Sequence, residues 1–200
     1  MLKLRSSAAS PFGRKVKVVA TITGLLDKIE ILAADTMDSN DPLRKDNPLG
    51  KIPVLILEDG ATLYDSRVIV EYLDHIAGGD KVIPGAWDAR LAALKLQALA
   101  DGITDAAILQ LYEGRFRKPD MHEPAWIAHQ GGKVERGLST LEAAPPRASA
   151  TPDIGTIAVA CMLEWYRFRF PGRLDNYPRL NAFLADFNAA IPAFKETAPR

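Results

Sequence analysis

The sequence predicts an α/β domain followed by an all-α domain, and three observations carry that expectation. Up to about Ala77, short β-like runs alternate with helical ones. From Trp87-Asp88 onward, apolar residues recur at helical spacing to the end of the chain. Between these parts, Ala77-Gly78-Gly79-Asp80-Lys81-Val82-Ile83-Pro84-Gly85 gathers three Gly and a Pro, the composition of a connecting segment. The expected division is residues 1–77, a linker over 78–87, and a helical domain over 88–200.

Leu2-Lys3-Leu4-Arg5 alternates as a strand does, and Pro11 suits the first position of a helix, where its missing N–H costs nothing. Val16, Val19, Ala20 and Ile22-Thr23 continue that helix, and Gly24 can end it. Lys28-Ile29-Glu30-Ile31-Leu32 reads as a second strand, so the opening is a β-α-β unit with parallel strands and a right-handed crossover. An irregular polar stretch follows over 35–47. Val54-Leu55-Ile56-Leu57 and Thr62-Leu63-Tyr64 then flank Glu58-Asp59-Gly60-Ala61, a strong hairpin signal. Val68, Ile69, Tyr72, Leu73 and Ile76 form the expected core stripe of the next helix. This order, β-α-β then β-β-α, is that of a thioredoxin-like sheet with one antiparallel edge pair.

Helices are expected near 88–117, 123–143, 153–169 and 177–190. Leu91, Leu94, Leu99 and Ile103 give the first a core face, in which Gly102 marks a bend or a close approach. The third is apolar nearly all round, as a central helix is: Ile154, Ile157, Ala158, Cys161, Trp165 and Phe168 line one side, and Val159, Met162 and Leu163 occupy much of the other. Cys161 is accordingly read as a buried structural thiol, and Trp87, Trp126 and Trp165 as packing residues.

Composition narrows the function. With 25 Lys+Arg against 25 Asp+Glu, the 200-residue chain has no net charge to attract a polyanion or an anionic membrane, so neither nucleic acid nor membrane is an expected partner. The longest unbroken apolar run, 157–163, is far short of the ~20 residues of a membrane-spanning helix. Met1-Leu2-Lys3-Leu4-Arg5 has no apolar stretch of the signal-peptide kind, which predicts a cytoplasmic location. One Cys and three scattered His offer no metal-ligand spacing, so no metal is expected.

Three segments hold residues suited to chemistry. Ser6-Ser7-Ala8-Ala9-Ser10-Pro11-Phe12-Gly13 sits where a strand ends and a helix begins, and a helix start favours an anion such as a thiolate. Ser10 before Pro11 equally suits a plain N-cap. Nothing nearby resembles a Ser-His-Asp system, which disfavours hydrolysis. In Asn47-Pro48-Leu49-Gly50-Lys51-Ile52-Pro53-Val54, Pro53 opens a strand; the Ile-Pro bond is a candidate for the cis form, although a trans proline fits the same place. Tyr64-Asp65-Ser66-Arg67 joins the last strand to its helix, with Ser66 in a capping position that also suits a bound carboxylate.

These three segments in this order, ahead of a helical domain, resemble the cytosolic glutathione S-transferases over essentially the whole chain. The resemblance is to a bacterial, serine-type member whose N-terminal motif has zeta- and omega-like features, Arg5-Ser6-Ser7 among them. Asp153-Ile154-Gly155-Thr156 resembles the N-cap of that family's central helix, with the usual residue types exchanged between Asp153 and Thr156. The resemblance implies the glutathione S-transferase fold, a homodimer, and glutathione as co-substrate with no tightly bound cofactor. It also implies roles for particular residues. Ile52 pairs its backbone with the cysteinyl unit, beside a cis Pro53. Ser66 holds the γ-glutamyl carboxylate, Asp65 helps bind the amino group, and Lys51 reaches the glycyl end. Ser10, with Phe12 beside it, faces the sulfur and donates a hydrogen bond to the thiolate, with Ser7 and Ser6 as alternatives. Tyr112, Arg115 and Phe116 line the pocket for a small hydrophobic electrophile. With Ser at position 10 rather than Cys, and no Cys-x-x-Cys, disulfide chemistry is disfavoured. A glutathione-dependent isomerase, dehalogenase or peroxidase would share the same residues, and a non-catalytic binding protein would share the fold.

Overall fold

A computed structural model describes residues 1–199. The alternation at the N-terminus becomes β1 (Leu2–Ser6), which buries Leu2, Leu4 and Ser6 and leaves Lys3 outside. It leads through α1 (Pro11–Ile22) into β2 (Ile29–Ala33), which pairs parallel with β1 from Leu2↔Ile29 to Ser6↔Ala33. The polar stretch that follows is less irregular than expected. It ends in one short helix, α2 (Leu43–Asp46), whose Leu43 is fully buried. The Asp59-Gly60 turn joins β3 (Val54–Ile56) to β4 (Thr62–Leu63), and both pairings of β3, with β1 and with β4, are antiparallel. Strand order is β2-β1-β3-β4, and α3 (Ser66–Ile76) completes the small mixed-sheet domain.

The buried stripe of α3 differs from the expected one. Ile69, Val70 and Leu73 are buried, Tyr72 is half-buried, and Val68 and Ile76 are exposed at 48% and 42%. The helix packs against α1 and β3, so the face turned inward runs through 69, 70 and 73. Val68 and Ile76 are turned outward, and Tyr72 between them packs against the edge of the core.

The second domain is helical throughout: α4 (Trp87–Phe116), α5 (Pro124–Ala143), α6 (Ile154–Arg169), α7 (Pro178–Ala190) and a short α8 (Ala193–Glu196) that periodicity did not reveal. The first four begin and end within a residue of their expected bounds. Every residue from 154 to 163 is buried, so α6 is the central helix, packed against both α4 and α1. Of the expected packing face of α4, Ile103 is buried and Leu94 and Leu99 pack against the core, but Leu91 does not, and the closest contact is made by smaller residues. Leu91 is 52% exposed and Leu94 and Leu99 only half-buried, while Ala93, Gln97, Ala100, Thr104 and Ala107 are buried. Small side chains let α4 lie close on α6. At the tightest point a Cβ on Gly155 would stand 2.5 Å from the Ala93 carbonyl oxygen and 2.8 Å from Leu96 Cβ. Gly102, by contrast, has open space beside it, so it marks no close approach. Of the three tryptophans read as packing, Trp165 is buried, but Trp87 is 70% and Trp126 41% exposed. Phe168 is also exposed.

The Gly-rich segment between α3 and α4 is held in place. Buried Asp74 accepts hydrogen bonds from the backbone N–H groups of Lys81 (3.0 Å), Val82 (2.8 Å) and Ile83 (3.3 Å). The Val82 carbonyl in turn accepts from Ile154 N at 2.7 Å, tying the segment to the first turn of α6. Asp153 caps that helix, accepting from Thr156 N at 2.8 Å and from the Thr156 hydroxyl at 3.0 Å, so the exchanged pair still closes on itself. Apolar side chains from both domains form one continuous core. Among the described residues no helix is long and apolar enough to cross a membrane.

The close contact at Gly155 has a measurable consequence. Gly155→Ala forces α4 and α6 apart and is expected to cost about 1–3 kcal/mol, read as a lower urea midpoint with an unchanged slope. An unaltered midpoint would show that the two helices separate freely.

Candidate functional site

The site is built where β1 gives way to α1. Ser10 is the N-cap, extended at φ −81° and ψ 118°, and its Oγ accepts a hydrogen bond from Gly13 N at 3.0 Å. That bond uses an oxygen lone pair and leaves the O–H to donate elsewhere. Pro11 opens the helix, and no acidic residue lies in its first turn to compete for the helix's positive end. Gly13 lets the end of β1 press against the helix: a Cβ there would sit 2.0 Å from Ser6 Oγ. Ser6 is consequently buried, its hydroxyl donating to the Ser7 carbonyl at 3.3 Å, while Ser7 and Phe12 are half-buried.

Facing elements come from the next two segments. Buried Asn47 shapes the loop before β3: its Nδ2 donates to the Lys51 carbonyl at 2.9 Å and its Oδ1 accepts from Leu49 N at 3.0 Å. The Ile52-Pro53 peptide bond is cis, the less common of the two alternatives the sequence left open. Pro53 is buried, Lys51 exposed, and Ile52 half-buried, lying beyond the residues of β3 that pair with β1. At the start of α3 the cap is Asp65 rather than Ser66: the Asp65 carboxylate accepts from Arg67 N at 2.8 Å. Asp65 is exposed, and Ser66, the first helical residue, is buried.

An ionic cluster that sequence reasoning missed binds these parts together. Lys15, only 1% exposed, places Nζ 2.8 Å from each carboxylate oxygen of buried Asp101 on α4. Asp101 also accepts from Arg67 Nε at 3.0 Å. One carboxylate thus joins the helix that begins at Ser10 to the helix that begins at Ser66. One turn along α4, exposed Asp105 is partly desolvated by its neighbours, which raises its carboxyl above the ordinary range; the Asp101 carboxylate adds to the effect, against the pull of Arg67 and Lys51.

Arg14 ties α1 in the other direction. Its guanidinium lies 3.7 Å from the centre of the Phe194 ring, donates to the Phe194 carbonyl at 2.7 Å and to Thr197 Oγ1 at 3.1 Å, and pairs with Glu164 on α6. Two consecutive basic residues leading into Val16-Lys17-Val18-Val19 were the available signal, since charges so placed in an apolar helix require partners. Cys161 is buried as expected, and burial pushes its thiol up to about 11.

Tyr112, Arg115 and Phe116 gather with one another at the exposed end of α4. The rings of Tyr112 and Phe116 meet edge to face at 5.2 Å, and the Arg115 guanidinium stands 5.5 Å from the Tyr112 ring centre. Asp101, Asp105, Ile108, Tyr112 and Arg115 follow at intervals of four, three, four and three residues, so they share one face of the helix. That face starts at the contacts with α1 and α3 and runs outward. Among the described residues no group of three or more His, Cys, Asp or Glu is placed to hold a metal ion.

Comparison with known proteins bears on this arrangement. The N-terminal domain model of the glutathione S-transferases matches residues 9–76, and their C-terminal domain model matches residues 124–186. The chain belongs to the glutathione S-transferase family. An Escherichia coli K12 relative described as uncharacterized GST-like protein YibF is 30% identical over 90% of each chain. A glutathione S-transferase from Methylobacillus flagellatus KT, solved with glutathione bound, is 40% identical with a TM-score of 0.89 over the full length of both chains. A family member from Pseudomonas fluorescens Pf-5, solved with bound S-(propanoic acid)-glutathione, is 38% identical with a TM-score of 0.87, also over both full lengths. The glutathione S-transferase fold therefore accounts for both domains, with its thioredoxin-like half carrying Ser10, Pro53 and Ser66.

Removing the Asp101 carboxylate leaves the Lys15 ammonium buried and unpaired. Asp101→Ala is expected to cost about 3–5 kcal/mol in chemical denaturation, and the double variant Lys15→Met/Asp101→Leu to recover most of that loss. A single variant as stable as the parent would show that the cluster is not a constraint on the fold.

Proposed function

We propose that this protein is a glutathione transferase, binding glutathione against residues 1–77 and an electrophile against the helices of 88–200. The Ser10 geometry carries the reading: a hydroxyl whose lone pair caps α1, and whose proton is available, stands at the positive end of that helix. In the proposed complex, glutathione adds a short extended segment beside Ile52, next to the cis Pro53. Ser66, through its N–H and hydroxyl at the start of α3, receives the γ-glutamyl carboxylate; Asp65 faces the amino group and Lys51 the glycyl end. Ser10 then donates to the sulfur. The glutathione S–H loses its proton to solvent, and the thiolate attacks an electrophilic carbon of a small hydrophobic molecule held near Tyr112 and Phe116. Ser6 is disfavoured as the donor because its hydroxyl is packed against Gly13, which leaves Ser7 as the competitor. The glutathione-bound relatives support the co-substrate.

A charge-assisted hydrogen bond is worth about 1.5–3 kcal/mol, so losing it should raise the bound thiol's pKa by roughly 1–2. Ser10→Gly is the better probe than Ser10→Ala, since Gly at an N-cap costs the helix only a few tenths of a kcal/mol. Spectrophotometric titration of bound glutathione is expected to show a depressed thiol pKa in the parent and a rise in both variants, with similar glutathione affinity. A depressed pKa unmoved by either substitution would transfer the role to Ser7, and no depression in the parent would leave a binding protein.

The proposal includes a homodimer. Val68 on α3 and Leu91 on α4 are half-exposed apolar residues, and the Glu71–Arg90 ion pair lies between the two helices on the same side. A second copy of this face would cover them. Val68→Asp combined with Leu91→Asp is expected to halve the mass seen by sedimentation equilibrium; a parent that sediments as a monomer would refute the dimer.

A further inference from the structure

The basic residues packed around α4 mostly have acidic partners. Lys15 and Arg67 share Asp101, Arg14 pairs with Glu164, and Arg117 is held by both carboxylate oxygens of Glu113 at 2.7 and 2.8 Å. Arg115 has no acidic partner among the described residues; its contact is the Tyr112 ring. Helical side chains lean toward the N-terminus of their helix, and the position of the guanidinium over Tyr112, three residues earlier, shows that it leans back along α4 rather than away from it. It therefore overhangs the face that leads inward through Ile108 to Asp105 and Asp101.

That face is polarised. Its inner end is charge-balanced, with Asp101 paired to Lys15 and Arg67, its middle is apolar with half-buried Ile108 and the Tyr112 ring, and its outer end carries an unpaired cation. At ~1.5 Å per residue, Ile108 and Arg115 are about 10 Å apart along the helix, a span that suits one aromatic or alkenyl unit with a polar end. A substrate with an anionic terminus is drawn to the cation at the outer end, which turns its uncharged reactive carbon inward, toward Ser10.

We propose that the electrophiles taken by this site carry a carboxylate, received by Arg115 at the outer end of the α4 face. This rests on the transferase reading above and narrows it from hydrophobic electrophiles in general to acidic ones. Arg115 acts as a specificity-determining residue: the guanidinium accommodates the two carboxylate oxygens in a paired geometry that an ammonium reproduces only in part.

A matched pair of compounds tests the inference. In 4-chloro-3,5-dinitrobenzoate and its methyl ester, the glutathione sulfur forms a bond to the chlorine-bearing ring carbon, the carbon–chlorine bond breaks, and chloride leaves with the bonding electrons. The thiol proton passes to solvent. The readout is the ratio of kcat/KM for the acid to kcat/KM for the ester. The parent is expected to favour the acid, Arg115→Ala to lower the ratio about tenfold chiefly through KM of the acid, Arg115→Glu to lower it further, and Arg115→Lys to restore part of it. A ratio that is the same in the parent, Arg115→Ala and Arg115→Glu overturns the proposal while leaving the transferase reading intact. Absence of turnover of both compounds by the parent, with no depression of the bound thiol's pKa, overturns the transferase reading and this proposal with it.

Discussion

The Asp101 carboxylate is the point on which the geometry of the site depends. Three charged side chains from three helices meet at it: Lys15 is buried with it, Arg67 reaches it from a half-exposed position, and removing the carboxylate leaves the buried Lys15 ammonium without compensation. A buried ion pair of this kind adds little net stability over well-packed apolar residues, because desolvating the charges offsets most of their attraction. Its value lies in position. Lys15 is on the helix that Ser10 caps, Arg67 is in the first turn of the helix that Ser66 opens, and Asp101 belongs to the helical domain. The two helix starts proposed to receive the ends of one ligand are held at a set separation by a group that neither contributes.

Around this cluster the architecture follows from the sizes of side chains. Alanine, threonine and glycine at the α4–α6 contact bring the helix axes close, which carries Asp101 deep enough to reach α1. Larger residues such as Leu91 and Trp87 are turned outward by the same choice. Gly13 plays the corresponding part in the first domain, bringing β1 and α1 together and confining the Ser6 hydroxyl. Close packing thus sets one of three neighbouring serines aside and leaves Ser10 and Ser7.

Much of this was legible in the sequence. Helix bounds were readable where Pro11 and Asp153 stand at or just before helix starts, since a missing N–H or an accepting side chain has a definite place there. The β-α-β unit and the hairpin followed from run length and the Asp59-Gly60 turn. What stayed hidden depends on pairing across long intervals. Nothing in the local pattern connects Lys15 to Asp101 or Arg14 to Phe194, and apolar periodicity marks Val68 and Leu91 as hydrophobic without saying which surface they meet. The cap at Asp65 was missed for a nearer reason: Asp and Ser are both good caps, and only the backbone decides between adjacent candidates.

The bonds made by Asp74 bear on how the protein moves. A connecting segment rich in glycine would ordinarily serve as a hinge about which two domains open and close. Here three of its N–H groups end on one buried carboxylate, and its Val82 carbonyl is fastened to α6. Rotation of one domain against the other would expose that carboxylate and break a core that both domains share. The motions left to the joined domains are those of side chains, on the time scale of rotamer changes rather than of rigid-body swings.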